Sequence, residues 1–326
     1  MTAAAPDLRQ LAETLRASRS IAGKSDIAAA TQRLGLSASA NVAVGDDCAA
    51  IPDGDGYLLL AIEGFINEFV AGDPWFAGWC GVMVNISDIA AMGGRPIAVV
   101  DAIWAEGEAK AAAILEGMKA ASARFGVPIV GGHTNLRTDR SQLSVAILGR
   151  ATKLLTSFDA APGDRLLVAI DQRGRYREPF SNWEAATDAP SERLRGDLAL
   201  LPQIAEAGLA RAAKDISQGG IVGTAAMLAE CSGVAIEIDV TAVPKPEDVT
   251  LERWLLTFPS FGFLIAATPE AAGTIIHLFA ARGIAAADIG AITAGRTVSI
   301  ASGAAREVVF DLAARPLLGC GPDTAP

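Results

Sequence analysis

Short apolar runs bounded by turn residues alternate along the chain with longer stretches of helical period, and this order predicts a mixed fold of strands and helices. The N-terminal MTAAAPDLRQLAETLRAS has the polar, amphipathic spacing of a surface helix. NVAVGDDCAAI and YLLLAIE read as two short strands, and PDGDG between them supplies turn residues for a hairpin. WFAGWCGVMVNISDIAAMGG is too long for a strand and stops at Gly93-Gly94 before Pro96, which predicts a helix buried on most sides. PIAVVDAIWA follows as a strand, EAKAAAILEGMKAASARFG as an amphipathic helix closed by Gly126, and VPIVGG and QLSVAILGRA as strands. The first half is ββαβαββ in outline.

Pro162, Gly163 and Asp164 punctuate the pattern after TKLLTSFDAA and suggest a domain boundary near residue 155. Beyond it come a strand RLLVAI, the irregular DQRGRYREPFSNWEAATDAPSE, a helix DLALLPQIAEAG and a short strand at AAKDI. A helix IVGTAAMLAECSG, strands VAIEIDV and FGFLIAAT, a helix PEAAGTIIHLFAARG and strands near AADIGAI and TVSIA complete the pattern. Such irregular alternation favours α+β or mixed α/β over a doubly wound parallel sheet. The expected division is a helical segment 1–38, domains 39–155 and 156–315, and a tail 316–326.

Composition narrows the classes. A chain of 326 residues with 51% hydrophobic content can bury a sizeable core in about two domains. The net charge of -10 argues against a nucleic-acid partner, which needs a basic stripe. The four cysteines form no CxxC pair, so neither a zinc ribbon nor a disulfide framework is expected, and a reducing cytoplasm fits best. No secretory leader and no long uninterrupted apolar segment stand out, so no membrane partner is expected.

Four stretches offer chemistry. SIAGKSD ends like a phosphate-binding loop at Gly23, Lys24 and Ser25, but position 18 is Ser and no strand precedes it, so Ser25 or Asp26 is better read as a helix cap, with Lys24 still able to reach a ligand. Asp46 and Asp47 are ordinary turn residues taken alone. Asn85 and Asp88, however, share one face of an apolar helix, where an uncompensated carboxylate costs on the order of several kcal/mol. Three acids close together repel unless a cation neutralises them, and such hard oxygen donors suit Mg²⁺, which completes its shell with water and substrate phosphates. In VPIVGGHTN, Gly131 and Gly132 allow close backbone approach beside His133, whereas His277 lies in a helix of apolar period and reads as structural. In KDISQGGI, Asp215 is a possible further metal ligand before a glycine turn that leads into a helix N-terminus suited to an anion.

Taken in order, VGDDCAAI, NISDIAAMGGRP, VGGHT and KDISQGGI resemble the aminoimidazole ribonucleotide synthase (AIR synthase) related superfamily, over about residues 40 to 300. Its members include thiamine-monophosphate kinase, selenophosphate synthase, formylglycinamidine ribonucleotide synthase and a hydrogenase maturation dehydratase. The resemblance implies an AIR synthase-like two-domain α+β or mixed α/β fold, with an N-terminal ATP- and Mg²⁺-binding domain whose sheet pairs across a homodimer and a C-terminal α+β domain. By motif matching it makes Asp46 and Asp47 metal and phosphate-site acids, Asp88 the acid that completes the metal site, and Asn85 its support. Glu63 falls where thiamine-monophosphate kinase carries an Asp after its second strand. Gly131 and Gly132 would shape a phosphate turn, with His133 as proton shuttle or phosphate ligand.

Departures from the family pattern bear on the reaction. Thiamine-monophosphate kinase carries an acid in place of His133 and usually Ser-Asp-Gly where this chain has Ser217-Gln218-Gly219. The His is closer to selenophosphate synthase, but no cysteine stands beside Gly23-Lys24 as that chemistry requires. Arg173, Arg175, Tyr176, Arg177 and Trp183 lie in a segment that matches none of these families; they read either as a site for an anionic or aromatic substrate or as a solvated loop. The expectation is a cytoplasmic homodimeric enzyme that uses ATP and Mg²⁺ to phosphorylate or activate a small molecule. The alternatives are a divergent thiamine-monophosphate kinase and a nucleotide-binding scaffold without turnover of its own.

Overall fold

The computed structural model describes residues 6–36 and 42–322. Asn41, where the first strand is expected to begin, the 38/39 division and the last four residues of the tail lie outside the described residues. The chain forms two compact units. One comprises the described residues up to Asp46 with Leu155–Ala185 and those from Ala207 onward; the other comprises Asp47–Leu154 and Ala186–Glu206.

The first unit begins with α1 (Leu8–Ala17), α2 (Arg19–Ala22) and α3 (Ser25–Leu34). Asp7 caps α1 by accepting from the backbone N–H groups of Arg9 and Gln10, and Leu8, Leu11, Ala12 and Leu15 form its buried stripe. The expected cap at Ser25 or Asp26 is not made. Lys24 occupies the cap position without a side-chain capping bond to the helix, and Ser25 Oγ donates to the Ala22 carbonyl at 2.7 Å.

The second unit takes β1 (Ala49–Asp53), β2 (Gly56–Gly64), α4 (Asn67–Gly72), α5 (Pro74–Ala91), β3 (Arg95–Glu106), α6 (Glu108–Phe125), β4 (Ile129–Asn135) and β5 (Arg137–Ala151). Its sheet runs in the order β1-β2-β5-β3-β4, with β3 and β4 parallel and the other pairs antiparallel. This is the ββαβαββ pattern with the short α4 added. Leu59, Ala61, Val99, Ile103, Leu143, Val145 and Ile147 point to the buried side of the sheet. α5 is buried along nearly its whole length, as its uninterrupted apolar sequence requires. The alternate positions give the sheet a second apolar face: Ile51, Leu60, Ile62, Val100 and Leu148 are all exposed, Ile62 at 68%. Register joins them into one surface, pairing Ile51 with Leu58, Leu60 with Leu148, and Ala146 with both Ile62 and Val100.

After β5 the chain returns to the first unit for β6 (Arg165–Ile170), β7 (Arg175–Tyr176) and β8 (Asn182–Glu184). The segment expected to be irregular therefore carries two short strands. An aromatic cluster orders them: Trp183 packs edge-on against Tyr176 and Trp254, and its Nε1 donates to the Asp171 carbonyl. α7 (Ser191–Leu198) and α8 (Leu200–Glu206) belong to the second unit and replace the single helix expected from Asp197.

The remainder is β9 (Ala212–Asp215), α9 (Gly220–Ser232), β10 (Val234–Asp239), α10 (Leu251–Leu255), β11 (Phe258–Pro259), β12 (Gly262–Ala267), α11 (Pro269–Ala280), β13 (Ala285–Ala294), β14 (Thr297–Ser302) and β15 (Ala305–Asp311). The large sheet has the order β15-β14-β10-β13-β6-β12-β9 and is mixed, since β10 and β14 pair in parallel. One core joins α1 and α9 to Leu166, Val168, Ile236 and Leu264. Phe263, at the alternate position on β12, meets Phe261, which in turn meets Phe279 of α11.

Candidate functional site

The acid pair does not lie in a strand. β1 starts only at Ala49, and the hairpin turn is at Gly54-Asp55, so Asp46 and Asp47 occupy bends that precede the sheet. Gly45 explains the break. Its φ is 121°, and a Cβ there would stand 2.6 Å from Cys320 Cβ. The two carboxylates are then used differently. Asp46 accepts from the Ser157 backbone N–H at 2.8 Å and from Ser157 Oγ at 2.6 Å, within the first unit. Asp47, half-buried in the second unit, has a carboxylate oxygen within 4.8 Å of one on Asp88.

Asp88 lies on α5, 6% exposed, so the sequence sets a carboxylate in one of the most apolar helices of the protein. Asn85, one turn earlier and fully buried, ties that helix to the sheet: its Nδ2 donates to the Gly81 carbonyl at 2.8 Å and the Val145 carbonyl at 3.0 Å. Its Oδ1 is buried with no hydrogen-bond partner among the described residues. Two carboxylates this close, one of them out of water, repel one another unless a cation lies between them. The donors are hard oxygens, and Mg²⁺ with water in its remaining positions fits them.

Register places other expected residues on one row across the second unit. Glu63 on β2 and Asp101 on β3 both pair with Val145 on β5, and Gly132 on β4 pairs with Asp101. Glu63 is exposed. Gly131, Gly132 and His133 do not form a turn as expected; they lie inside the edge strand β4. Gly132 is small because Asp101 needs the space, since a Cβ would stand 2.6 Å from its Oδ2. Partial burial raises the Asp101 carboxyl from its ordinary value. His133 is exposed, with its ring 5.9 Å from that of Trp104. Asp101 was visible in the sequence as the lone acid of PIAVVDAIWA, and Ser157 gave no signal at all.

In the first unit, buried Asp215 ends β9, paired with Phe263 on β12. Lys24 Nζ donates to Ser217 Oγ at 3.3 Å, in the turn that enters α9. Gly219 and Gly220 both have positive φ there, and a Cβ on Gly220 would strike the Leu255 carbonyl. His277 stands on the exposed side of α11. Of the segment 171–188, Arg173 is paired with Asp171 at 2.8 Å, and Tyr176 bonds Thr257 at 2.6 Å beneath the Arg253 guanidinium.

Two family models match the chain: AIR synthase related protein, N-terminal domain, over residues 45–151, and AIR synthase related protein, C-terminal domain, over 177–302. The protein sll0787 of Synechocystis is 49% identical over 85% of this chain and 87% of its own length. Thiamine-monophosphate kinase of Pyrococcus horikoshii is 30% identical over 64% of this chain and 70% of its own. Among solved structures, T. maritima PurL complexed with ATP superposes with a TM-score of 0.71 at 19% identity, covering 84% of this chain and 46% of that one. The chain thus spans about half the length of the PurL chain it matches.

Proposed function

We propose, because this chain belongs to the AIR synthase related protein family, that it is an enzyme that uses Mg·ATP to phosphorylate or activate a small molecule. The observation that carries the reading is the buried Asp88 on an apolar helix with Asp47 within 4.8 Å. These carboxylates would hold Mg²⁺, which supplies charge neutralisation at phosphate oxygens during transfer. Motif matching adds Asp46, Glu63 and Asp215 as candidate acids, and Asn85, Gly131, Gly132 and Lys24 as candidates for shaping or contacting the nucleotide site. Exposed His133 and buried Asp215 are the candidates for proton transfer in the chemistry.

We further read the protein as a homodimer. The exposed apolar face around Leu60, Ile62, Val100 and Leu148 supports this, since a sheet face of this composition is the kind of surface a partner covers. The four buried cysteines, none in a disulfide, are compatible with a cytoplasmic setting, and no helix of the described residues is long and apolar enough to cross a membrane.

A divergent thiamine-monophosphate kinase is the second reading, favoured by the Pyrococcus horikoshii relative and opposed by His133 and Gln218, where the resemblance to that family leads one to expect acids. The test is ADP release from purified protein with Mg·ATP and a panel of small phosphate-bearing metabolites that includes thiamine phosphate. Stimulation by one compound, abolished in Asp88→Asn, is expected. Stimulation by thiamine phosphate would select the second reading. Absence of turnover with every acceptor, with nucleotide still bound, would favour a scaffold over an enzyme.

A further inference from the structure

Asp101 is a half-buried carboxylate that accepts no hydrogen bond and pairs with no cation among the described residues. On β3 it alternates with the buried Val99 and Ile103, so it belongs to the face of the sheet against which α5 packs. Both of its oxygens lie over Gly132 of β4, 2.6 and 2.7 Å from the point where a Cβ would stand. β4 is the last strand of its sheet, and the exposed Gly131 and Gly132 bring no side chain to the carboxylate. Asn85 adds a second acceptor beside the same row. Its Nδ2 is engaged by the carbonyls of Gly81 and of Val145, the residue that pairs with Asp101, and its buried Oδ1 has no hydrogen-bond partner among the described residues. All of these residues belong to the second unit.

We propose that Asp101 is a binding residue for the substrate other than ATP, and that it accepts from a cationic nitrogen of that molecule, a protonated amine or amidine. That the bound group belongs to a substrate rests on the reading of this chain as an ATP-using enzyme; the chemistry of the group rests on the second unit alone. A carboxylate drawn partly out of water without a partner lowers stability, and such a charge is kept where a ligand supplies the partner. Acceptors without donors repel a phosphate and favour an N–H group. A cationic N–H group suits the place best, because it neutralises the carboxylate and makes a charge-assisted hydrogen bond with it. The two glycines leave that group a way in over the edge strand.

The test is carbon-13 nuclear magnetic resonance of the full chain labelled at its aspartate carboxyls, with the Asp101 signal identified by its loss in Asp101→Asn. Methylammonium is titrated at neutral pH, against tetramethylammonium, a cation without N–H, and acetamide, a neutral donor, at matched ionic strength. Methylammonium is expected to shift the Asp101 signal saturably, half-maximally at roughly 10–100 mM, the range of one hydrogen bond to a charged group. Tetramethylammonium is expected to leave the signal in place. Equal shifts with the two cations, no shift with methylammonium, or a stronger response to acetamide than to methylammonium would each overturn the inference. Calorimetry with a non-hydrolysable ATP analogue and Mg²⁺ separates this site from the metal site: Asp101→Asn is expected to bind within about twofold of wild type. A loss in Asp101→Asn as large as that in Asp88→Asn would make Asp101 part of the nucleotide site and overturn the inference. Unchanged nucleotide affinity in Asp88→Asn would remove the metal reading instead, with the methylammonium response still deciding the role of Asp101.

Discussion

Gly117→Ala sets two opposing effects of one methyl group against each other where α5 crosses α6. A Cβ on Gly117 would stand 1.8 Å from the Trp75 carbonyl oxygen, against 3.4 Å for the near edge of ordinary contact, and the obstacle is backbone that no rotamer change can move. Gly78, on the facing helix, meets the Ile114 carbonyl in the same way, so each helix uses a glycine to admit the other. α5 is buried on nearly all sides and cannot retreat without disturbing the sheet beneath it. Overpacked cores typically lose ~1–3 kcal/mol. Backbone strain puts this substitution at the upper end, and the ~1 kcal/mol that Ala gains over Gly inside a helix offsets part of it. A net loss of about 2 kcal/mol results. Gly273→Ala is the internal control: it lies within α11 with open space where the Cβ would go, so only the favourable part remains, roughly 0.5–1 kcal/mol of stabilisation. Urea unfolding monitored by circular dichroism measures both. Stability of Gly117→Ala equal to or above wild type, with Gly273→Ala behaving as stated, would refute the close-crossing argument.

Further outcomes are expected from other substitutions. Glu230→Gln exchanges one accepting oxygen for an NH₂ group facing backbone donors, and should cost on the order of 2–3 kcal/mol in the same urea assay, with proteolysis beginning in the segment 312–322. Asp101 has a raised pKa in the folded protein, so its contribution to stability is present below the unfolded pKa and is lost as pH rises through the folded one. Asp101→Asn should therefore gain stability relative to wild type at neutral pH and lose that advantage as pH falls below about 4, read from unfolding midpoints across pH. Ile62→Glu places a charge on the exposed apolar face and should convert the proposed dimer to a monomer in sedimentation equilibrium; a wild-type monomer at tens of micromolar would remove the role proposed for that face.

The periodic parts of the fold were legible because local and tertiary preferences agree there. α5, α6 with its Gly126 stop, and β6 and β12 with their buried runs follow from apolar spacing and helix-end residues. β15 was not legible, because Ala305–Asp311 is an edge strand in which only Val309 is buried and whose pairing with β14 supplies the order. β7 and β8 depend on the Tyr176, Trp183 and Trp254 cluster, whose third member is distant in sequence from the other two. At the site, residue types pointed to Asp47 and Asp88 through the cost of a carboxylate in an apolar helix. The different use of Asp46 could not be read, since it depends on Ser157, 111 positions away. The GGHT stretch looked like a turn because glycine pairs usually make one, whereas Gly132 serves to admit the Asp101 carboxylate inside a strand.

The most direct test of the central claim is isothermal titration of a non-hydrolysable ATP analogue in Mg²⁺ into wild type, Asp47→Asn and Asp88→Asn. Mg²⁺-dependent binding is predicted for wild type, weakened at least about tenfold in each variant, equivalent to about 1.4 kcal/mol, with unfolding midpoints preserved. Equal affinity in all three proteins, or binding indifferent to Mg²⁺, would contradict a nucleotide site built on these two carboxylates.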